Sequence, residues 1–245
     1  MSKAFRCDLH IHTCLSPCAE LDMYPRAIVE QALNKKLDII GICDHNSGEN
    51  AFFVQESAKG FPLVVLPGME LTSSEEVHTL ALFENVQALM SLQALVYGHL
   101  EGKNNEDVFG CQPIVNDKDE VEGFNERLLI GATDLPLMAL IESIRSLGGL
   151  AVASHIDRES FSFISQLGFI GDDMLFDALE VTARLGIPHG RERYPDLAGR
   201  TFIVSSDAHY VRDIGSGYTD IFMEKPSFAE LRLALERQDG RYVLE

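Results

Sequence analysis

The hexapeptide Asp8-Leu9-His10-Ile11-His12-Thr13 restricts the possible folds of this chain more than any other stretch. On a β-strand, side chains two apart point to the same side, so His10 and His12 present two imidazoles together. Two neutral imidazoles converging on one point suit a borderline metal such as zinc, iron or manganese. By itself His-X-His is a weak signal, and its weight comes from what recurs downstream. Asp44-His45, Glu70, His78, His155 and Asp207-Ala208-His209 each sit at, or just past, the end of an apolar run that reads as a strand. Six of the eight histidines belong to that set. The chain must therefore adopt a fold that gathers many strand ends around one point.

The rest of the sequence is consistent with such a fold. Residues 5–11 alternate as a first strand, and Tyr24-Pro25-Arg26 opens a helix with proline in its first turn. Residues 37–43 form a second strand, 51–59 a helix, 62–66 a strand running into Pro67-Gly68-Met69-Glu70, and 76–83 a fourth strand. Strand, helix, strand at intervals of about 30 residues is the pattern of right-handed βαβ units. From about 85 to 132 the order breaks into a helical piece at 87–97, a polar acidic section, and expected short strands at 112–115 and 128–130. This section reads as an insertion or cap on one 1–245 domain. Helix 135–147, strands 150–154, 178–181 and 201–205, and a terminal helix at 227–238 capped by Ser227 and Glu230 complete the chain. Roughly seven strands, mostly parallel, with candidate ligands at their C-terminal ends describe an α/β barrel rather than an open sheet.

Composition excludes several classes. No run approaches the roughly 18 apolar residues of a membrane span, and the first residues carry no apolar signal region. The five cysteines are odd in number and unevenly spaced, which points to a reducing cytoplasm rather than a disulfide framework. With 38 acidic and 20 basic residues the net charge is −18. Such a surface repels polyphosphate backbones and argues against long nucleic acid as a partner, though not against a small phosphorylated substrate held by cations.

Taken in order, Asp8-Leu9-His10-Ile11-His12-Thr13, Cys43-Asp44-His45-Asn46, Pro67-Gly68-Met69-Glu70, Val77-His78-Thr79-Leu80, Ser154-His155 and Ser206-Asp207-Ala208-His209 resemble the successive motifs of the PHP (polymerase and histidinol phosphatase) family. The resemblance covers nearly the whole chain. It implies a distorted (β/α)7 TIM-like barrel with two or three divalent ions (zinc, manganese or iron) at its C-terminal face, and phosphoester hydrolysis by metal-activated water. Carried over position by position, it implies His10, His12, Glu70 and Asp207 on a first ion. Glu70 would bridge to a second ion held also by His78 and His155, and His45 and His209 would hold a third. The chain departs from the pattern at Cys18, near where the family commonly places a His or Asp. A Cys18 thiolate would suit zinc or iron better than manganese, Glu20 and Asp22 are alternative oxygen donors, and an unligated loop thiol is the plain reading.

Other residues have two readings each. Asp44 and Asp8 either orient a ligand or its loop by hydrogen bonding, or cap a turn. Asn46 either meets substrate or makes the Asn-Ser-Gly turn. Arg158 and Arg184 are the basic groups nearest strand ends and suit a phosphate fork, with His189, Arg191 and Arg193 weaker candidates. Cys7 and Cys43 read as core residues, Cys14 as an ordinary side chain and His99 as a surface residue. The expected function is a metal-dependent phosphoesterase acting on a small phosphorylated metabolite or nucleotide. The alternatives are a histidinol-phosphatase-type enzyme, an exonuclease disfavoured by charge, a metal store or sensor, and a non-catalytic PHP module of a larger assembly.

Overall fold

The computed structural model of the chain describes residues 2–171 and 174–244. In chain order the elements are β1 (Lys3–Ile11), α1 (Pro25–Asn34), β2 (Ile39–Ile42), α2 (Ala51–Ser57), β3 (Val64–Thr72) and β4 (His78–Leu82). Then come α3 (Val86–Gly98), α4 (Glu106–Phe109), β5 (Pro113–Val115), β6 (Val121–Phe124), α5 (Leu137–Ser146), β7 (Leu150–Ala153) and α6 (Phe163–Leu167). The chain ends with β8 (Ala178–Thr182), α7 (Gly186–Arg193), β9 (Phe202–Ser205), β10 (Thr219–Met223), α8 (Phe228–Leu235) and β11 (Tyr242–Val243).

Nine strands form one sheet in the order β11-β10-β1-β2-β3-β4-β7-β8-β9. The sheet curls until its ends nearly meet: Ile11 bridges Ala208, and His12 N–H donates to the Ala208 carbonyl at 3.0 Å. The expected α/β barrel is present, but its strands are less uniformly parallel than the sequence suggested. Among the strands of the described residues, only β1–β2, β2–β3, β7–β8 and β8–β9 pair in parallel. β4 runs antiparallel to both β3 and β7, and β10 antiparallel to β1. The reason is connection length: the few residues between Thr72 and His78 cannot hold a crossover, which needs a dozen or more. This reversal matters for the site. His78 opens an antiparallel strand and so lies at the same end of the barrel as the C-terminal ends of β3 and β7.

Alternate strand residues divide the core in two. Ile40, Ile42, Val65, Met69, Ala81 and Ala151 pack outward against Ile28, Val54, Leu92 and Ile141 of the helices. Leu9, Leu66, Leu80, Leu82, Val152 and Ile203 pack inward, closed off by Phe228 and Leu231 of α8. In α8 the Ser227 hydroxyl accepts from Glu230 N–H as expected, but the Glu230 carboxylate turns to Glu224 N–H and Arg241 rather than closing a capping box. α3 also belongs to the outer core through Leu89, Leu92 and Val96, although the sequence suggested that these residues were part of the cap. The second expected cap strand is likewise displaced. Residues 128–130 form a turn whose Leu129 buries with Leu15 and Leu100, and β6 pairs with β5 instead. Val121 and Phe124 of β6 are exposed, so no apolar alternation marks that strand.

Two inward glycines set how tightly the barrel closes. A Cβ at Gly41 would lie 2.4 Å from the Leu9 carbonyl oxygen, and one at Gly68 would lie 2.5 Å from that of Ala81. Gly41→Ala is expected to destabilise by about 1–3 kcal/mol through overpacking. Gly98→Ala, where a Cβ meets nothing within 4 Å, should be near neutral in the same urea titration. Equal midpoints for the two variants would contradict this reading of the barrel interior.

Candidate metal centre

The site is built around Glu70, whose carboxylate is about 1 % exposed. Its Oε1 lies 3.0 Å from His78 Nδ1, 3.2 Å from His155 Nε2 and 3.5 Å from His10 Nε2. Its Oε2 lies 3.2 Å from His45 Nδ1 and 3.5 Å from His12 Nε2. Burial pushes the Glu70 pKa up, but His78 and His10 outweigh it and hold the carboxyl well below its ordinary range. Asp207 closes the far side, with Oδ1 at 3.2 Å from His12 Nε2 and 3.3 Å from His10 Nε2. Burial raises its pKa too, and again the imidazoles of His10 and His12 win, leaving it depressed.

Local structure explains how these side chains converge. The β1–β2 register shifts between Asp8 and Ile11, as at a β-bulge, which turns His10 inward directly after inward Leu9. His10 Nδ1 faces Glu180 Oε2 at 3.0 Å, so that nitrogen carries the proton and Nε2 presents a lone pair. Asp44 accepts from Thr13 N–H (2.7 Å), the Thr13 hydroxyl (2.8 Å) and the Ser16 hydroxyl (2.6 Å). Ser16 Oγ is then left to accept from His12 Nδ1 at 2.9 Å, which again leaves Nε2 free to ligate. Asp44 thus acts on His12 through Ser16, with its own pKa raised to about 6 by burial against those hydrogen bonds.

Asp8 holds the last motif, accepting from the backbone N–H groups of Ser206 and Gly215 at 2.9 Å each. Burial raises its pKa to about 6. The backbone is strained where ligands are presented, since His155 (φ 24°), Asp207 (φ 50°) and Asn46 (φ 48°) are all non-glycine residues with positive φ. The Asn46 side chain is taken up by backbone groups. It donates to the carbonyls of Leu129 and Gly131 and accepts from Thr72 N–H, tying the cap to the barrel.

Two features show that this donor set suits cations. First, His10 Nε2 and His12 Nε2 face each other at 3.2 Å, and both Nδ1 protons are committed elsewhere. Two lone pairs hold that separation only with a cation or a proton between them. Without a metal the proton sits on His10, which Asp207, Glu180 and Glu70 raise above its ordinary value against burial. Burial and His209 lower His12 to about 4. Second, the buried Nδ1 atoms of His45 and His78 approach Glu70 without forming a hydrogen bond. Burial lowers the His45 pKa despite Glu70 nearby, so its ring is neutral and ready to ligate.

Among the described residues three groups of side chains could each hold a metal ion: His12, Cys18, His45 and His209; His10, His12 and Glu70; and His45, Glu70 and His78. His12, His45 and Glu70 each fall in two of these groups. Cys18 lies in the first group, exposed, with its thiol pKa raised by burial of the sulfur and by Glu70 and Asp207. Glu20 and Asp22 join none of these groups.

Arg158 lines the cleft and ion-pairs with Asp207. Arg184 is exposed and does not line it. His189 bonds the Leu185 carbonyl, Arg191 that of Ala198, and Arg193 lies over Tyr194. His99 pairs with Asp134 on the surface. Cys7, Cys14 and Cys43 are buried in the core. Sequence reasoning placed Glu180 on a strand without a role and gave none to Ser16. The signal for Glu180 was a lone acid inside the apolar run Ala178-Leu179-Glu180-Val181.

Residues 192–239 match the family model described as PHP-associated. The fold agrees with that match, resembling solved structures that cover most of the chain. The sequence match is thus to a PHP-associated segment, and the structural likeness is one of fold. The lesion-specific endonuclease EndoQ of Pyrococcus furiosus superposes with a TM-score of 0.77 at 17% identity, over 98% of this chain and 58% of that one. Endonuclease Q solved with a 27-mer duplex substrate bearing an abasic lesion at the active site gives 0.75 at 18%. A protein of Bifidobacterium adolescentis, provisionally described as a metal-dependent phosphoesterase, gives 0.57 at 21%, over 85% of this chain and 89% of that one. In sequence, the uncharacterized protein YqxK of Bacillus subtilis is 28% identical over 113 residues, 43% of this chain and 28% of that protein. The chain therefore spans little more than half of the endonuclease structures and less of YqxK. A barrel of this shape occurs in an endonuclease solved with a DNA duplex, so net charge alone does not exclude nucleic acid.

Removing the Ser16 hydroxyl tests the support of His12. Ser16→Ala should bind metal about 10–100-fold more weakly in a chelator-competition titration, and loss of a donor to buried Asp44 should lower its stability by about 1–3 kcal/mol. Unaltered affinity would mean that the Asp44–Ser16–His12 chain is only a loop staple.

Proposed function

We propose that the protein is a metal-dependent phosphoesterase acting on a small phosphorylated metabolite or nucleotide. One observation carries this reading: five imidazole nitrogens from four separate motifs lie within 3.5 Å of the two oxygens of one buried carboxylate. His10, His12, His45, Glu70, His78, His155, Asp207 and His209, with Cys18, would hold two or three divalent ions. Bound there, such ions would supply the Lewis acidity and the activated water that hydrolysis of a phosphoester requires.

The side chains do the rest. Glu180 and the Asp44–Ser16 pair fix the tautomers of His10 and His12, so that Nε2 of each ring offers a lone pair to the cleft. The buried ligands exclude bulk water from the floor. Arg158, on the rim, is the guanidinium nearest Asp207 and can exchange that ion pair for a bidentate grip on substrate phosphate. The net charge of −18 favours a compact phosphorylated substrate over a long polyanion. A cytoplasmic setting accords with five free cysteines. Among the described residues no helix is long and apolar enough to cross a membrane.

A second reading, cleavage of damaged DNA, is favoured by the likeness to endonuclease Q over 98% of the chain. One panel separates the two. Chelator-stripped protein, reloaded with manganese, zinc or iron separately, is assayed on phosphomonoesters, phosphodiesters and a duplex containing an abasic site. The expected result is no turnover when stripped and restored hydrolysis of a small phosphoester with at least one ion. Arg158→Ala should raise KM about 10–100-fold, the loss of a hydrogen-bonded charge contact. Turnover confined to the duplex would favour the nuclease, and none at all with metal bound would favour a binding module.

Cys18 makes a further distinction. Cobalt-loaded protein should show a thiolate-to-cobalt absorption band that Cys18→Ala lacks, together with the loss of about one ion per chain. An unchanged spectrum would leave Cys18 outside the metal set.

A further inference from the structure

The cleft at the candidate centre has a volume of about 180 Å³ and is lined almost wholly by the ligand set and Arg158. That is below the roughly 300 Å³ at which sites for whole organic ligands begin. A phosphate group and its cations would fill it, so the organic part of a substrate must lie on the rim. Apart from Cys18, the rim offers two apolar side chains, Ile130 from the turn after β6 and Phe161 from the loop after β7.

Phe161 is placed at the expense of backbone strain. Its φ is 54°, a region that bulky side chains rarely enter, yet the residue is 42 % exposed. Its carbonyl accepts from His78 N–H at 3.0 Å, which fixes the loop to the start of β4. A glycine would make that same bond without strain, so the backbone does not explain the phenylalanine. Burial does not explain it either. What the ring does is stack along His78, with centroids 4.9 Å apart and planes 20° from parallel, at the mouth of the cleft.

We propose that Phe161 is a stacking platform that selects phosphoesters carrying a planar ring, a nucleobase in particular, next to the reacting phosphate. The inference rests on the phosphoesterase reading and narrows its substrate class. One side of the ring is braced by His78, and the exposed remainder is positioned to receive a second ring while the phosphate reaches Arg158 and the floor. Stacking of this kind tolerates any base, because every base has a π-face.

Adenosine 5′-monophosphate and ribose 5-phosphate share sugar and phosphate and differ only in the base, which makes them the test pair. The metal-loaded wild type should favour the nucleotide by about tenfold or more in kcat/KM, the order of one base–aromatic stack. Phe161→Ala should lose that preference through a raised KM for the nucleotide, so that the two esters are turned over with similar kcat/KM. Phe161→Tyr should keep it. Phe161→Gly should lose the preference yet melt at or above the wild-type temperature, because the strain is relieved. Equal effects on both esters, or loss of metal from Phe161→Ala, would reduce the ring to a brace for His78 and overturn the proposal. If the wild type turned over neither ester, the phosphoesterase reading would fail separately. Calorimetric binding of the two esters would then decide the stacking, and equal affinity in wild type would overturn it.

Discussion

A carboxylate with about 1 % of its surface exposed, ringed by imidazoles, is the constraint on which the rest of the structure depends. An ionised group taken that far from water loses several kcal/mol of hydration unless positive charge or hydrogen bonds replace it. Around Glu70 the replacements are ring nitrogens, several of them neutral lone-pair donors rather than proton donors. An arrangement of acceptors facing acceptors is intelligible only with a cation in the middle, a proton at minimum and a metal by preference. The opposed Nε2 atoms of His10 and His12 make the same point from a second direction.

The fold holds these donors against their mutual repulsion. A β-bulge on β1 aims two histidines inward in succession with Leu9, and the reversed strand β4 delivers His78 to the end where β3 and β7 leave Glu70 and His155. The positive φ values at His155 and Asp207 are kept in place by neighbours that over-determine them. Glu180 accepts from His155 N–H, and Asp8 accepts from Ser206 N–H. Buried acids thus divide into those aimed at the centre and those holding the loops that bear it. Close backbone contact at Gly41 and Gly68 keeps the inner wall narrow beneath the site.

The candidate site was more legible in the sequence than the fold around it. His10, His12, His45, Glu70, His78, His155, Asp207 and His209 could be picked out because each is a metal-capable residue at the edge of an apolar run, and the structure brings all eight together. Strand direction was not legible in the same way. Apolar alternation is identical for parallel and antiparallel neighbours, and only the short link between β3 and β4 carried the information. β10 escaped notice because Thr219 and Asp220 interrupt its apolar pattern. Glu180 and Ser16 act through a ligand rather than on a cation; a lone acid within an apolar run marked Glu180, and nothing marked Ser16. Arg184 failed for the opposite reason, since proximity in sequence to a strand end does not fix where an exposed side chain lies.

The likeness to endonuclease Q, of which this chain spans 58%, places the same barrel fold within a larger protein. The most direct measurement of the account is elemental analysis of the purified chain beside Glu70→Ala, paired with anomalous diffraction at the metal edge. The account predicts two or three transition-metal ions per wild-type chain, with density between Glu70 and the rings of His10, His12, His45 and His78, and loss of most of that metal in the variant. A folded wild-type chain that takes up no transition metal, or holds it away from Glu70, would contradict it.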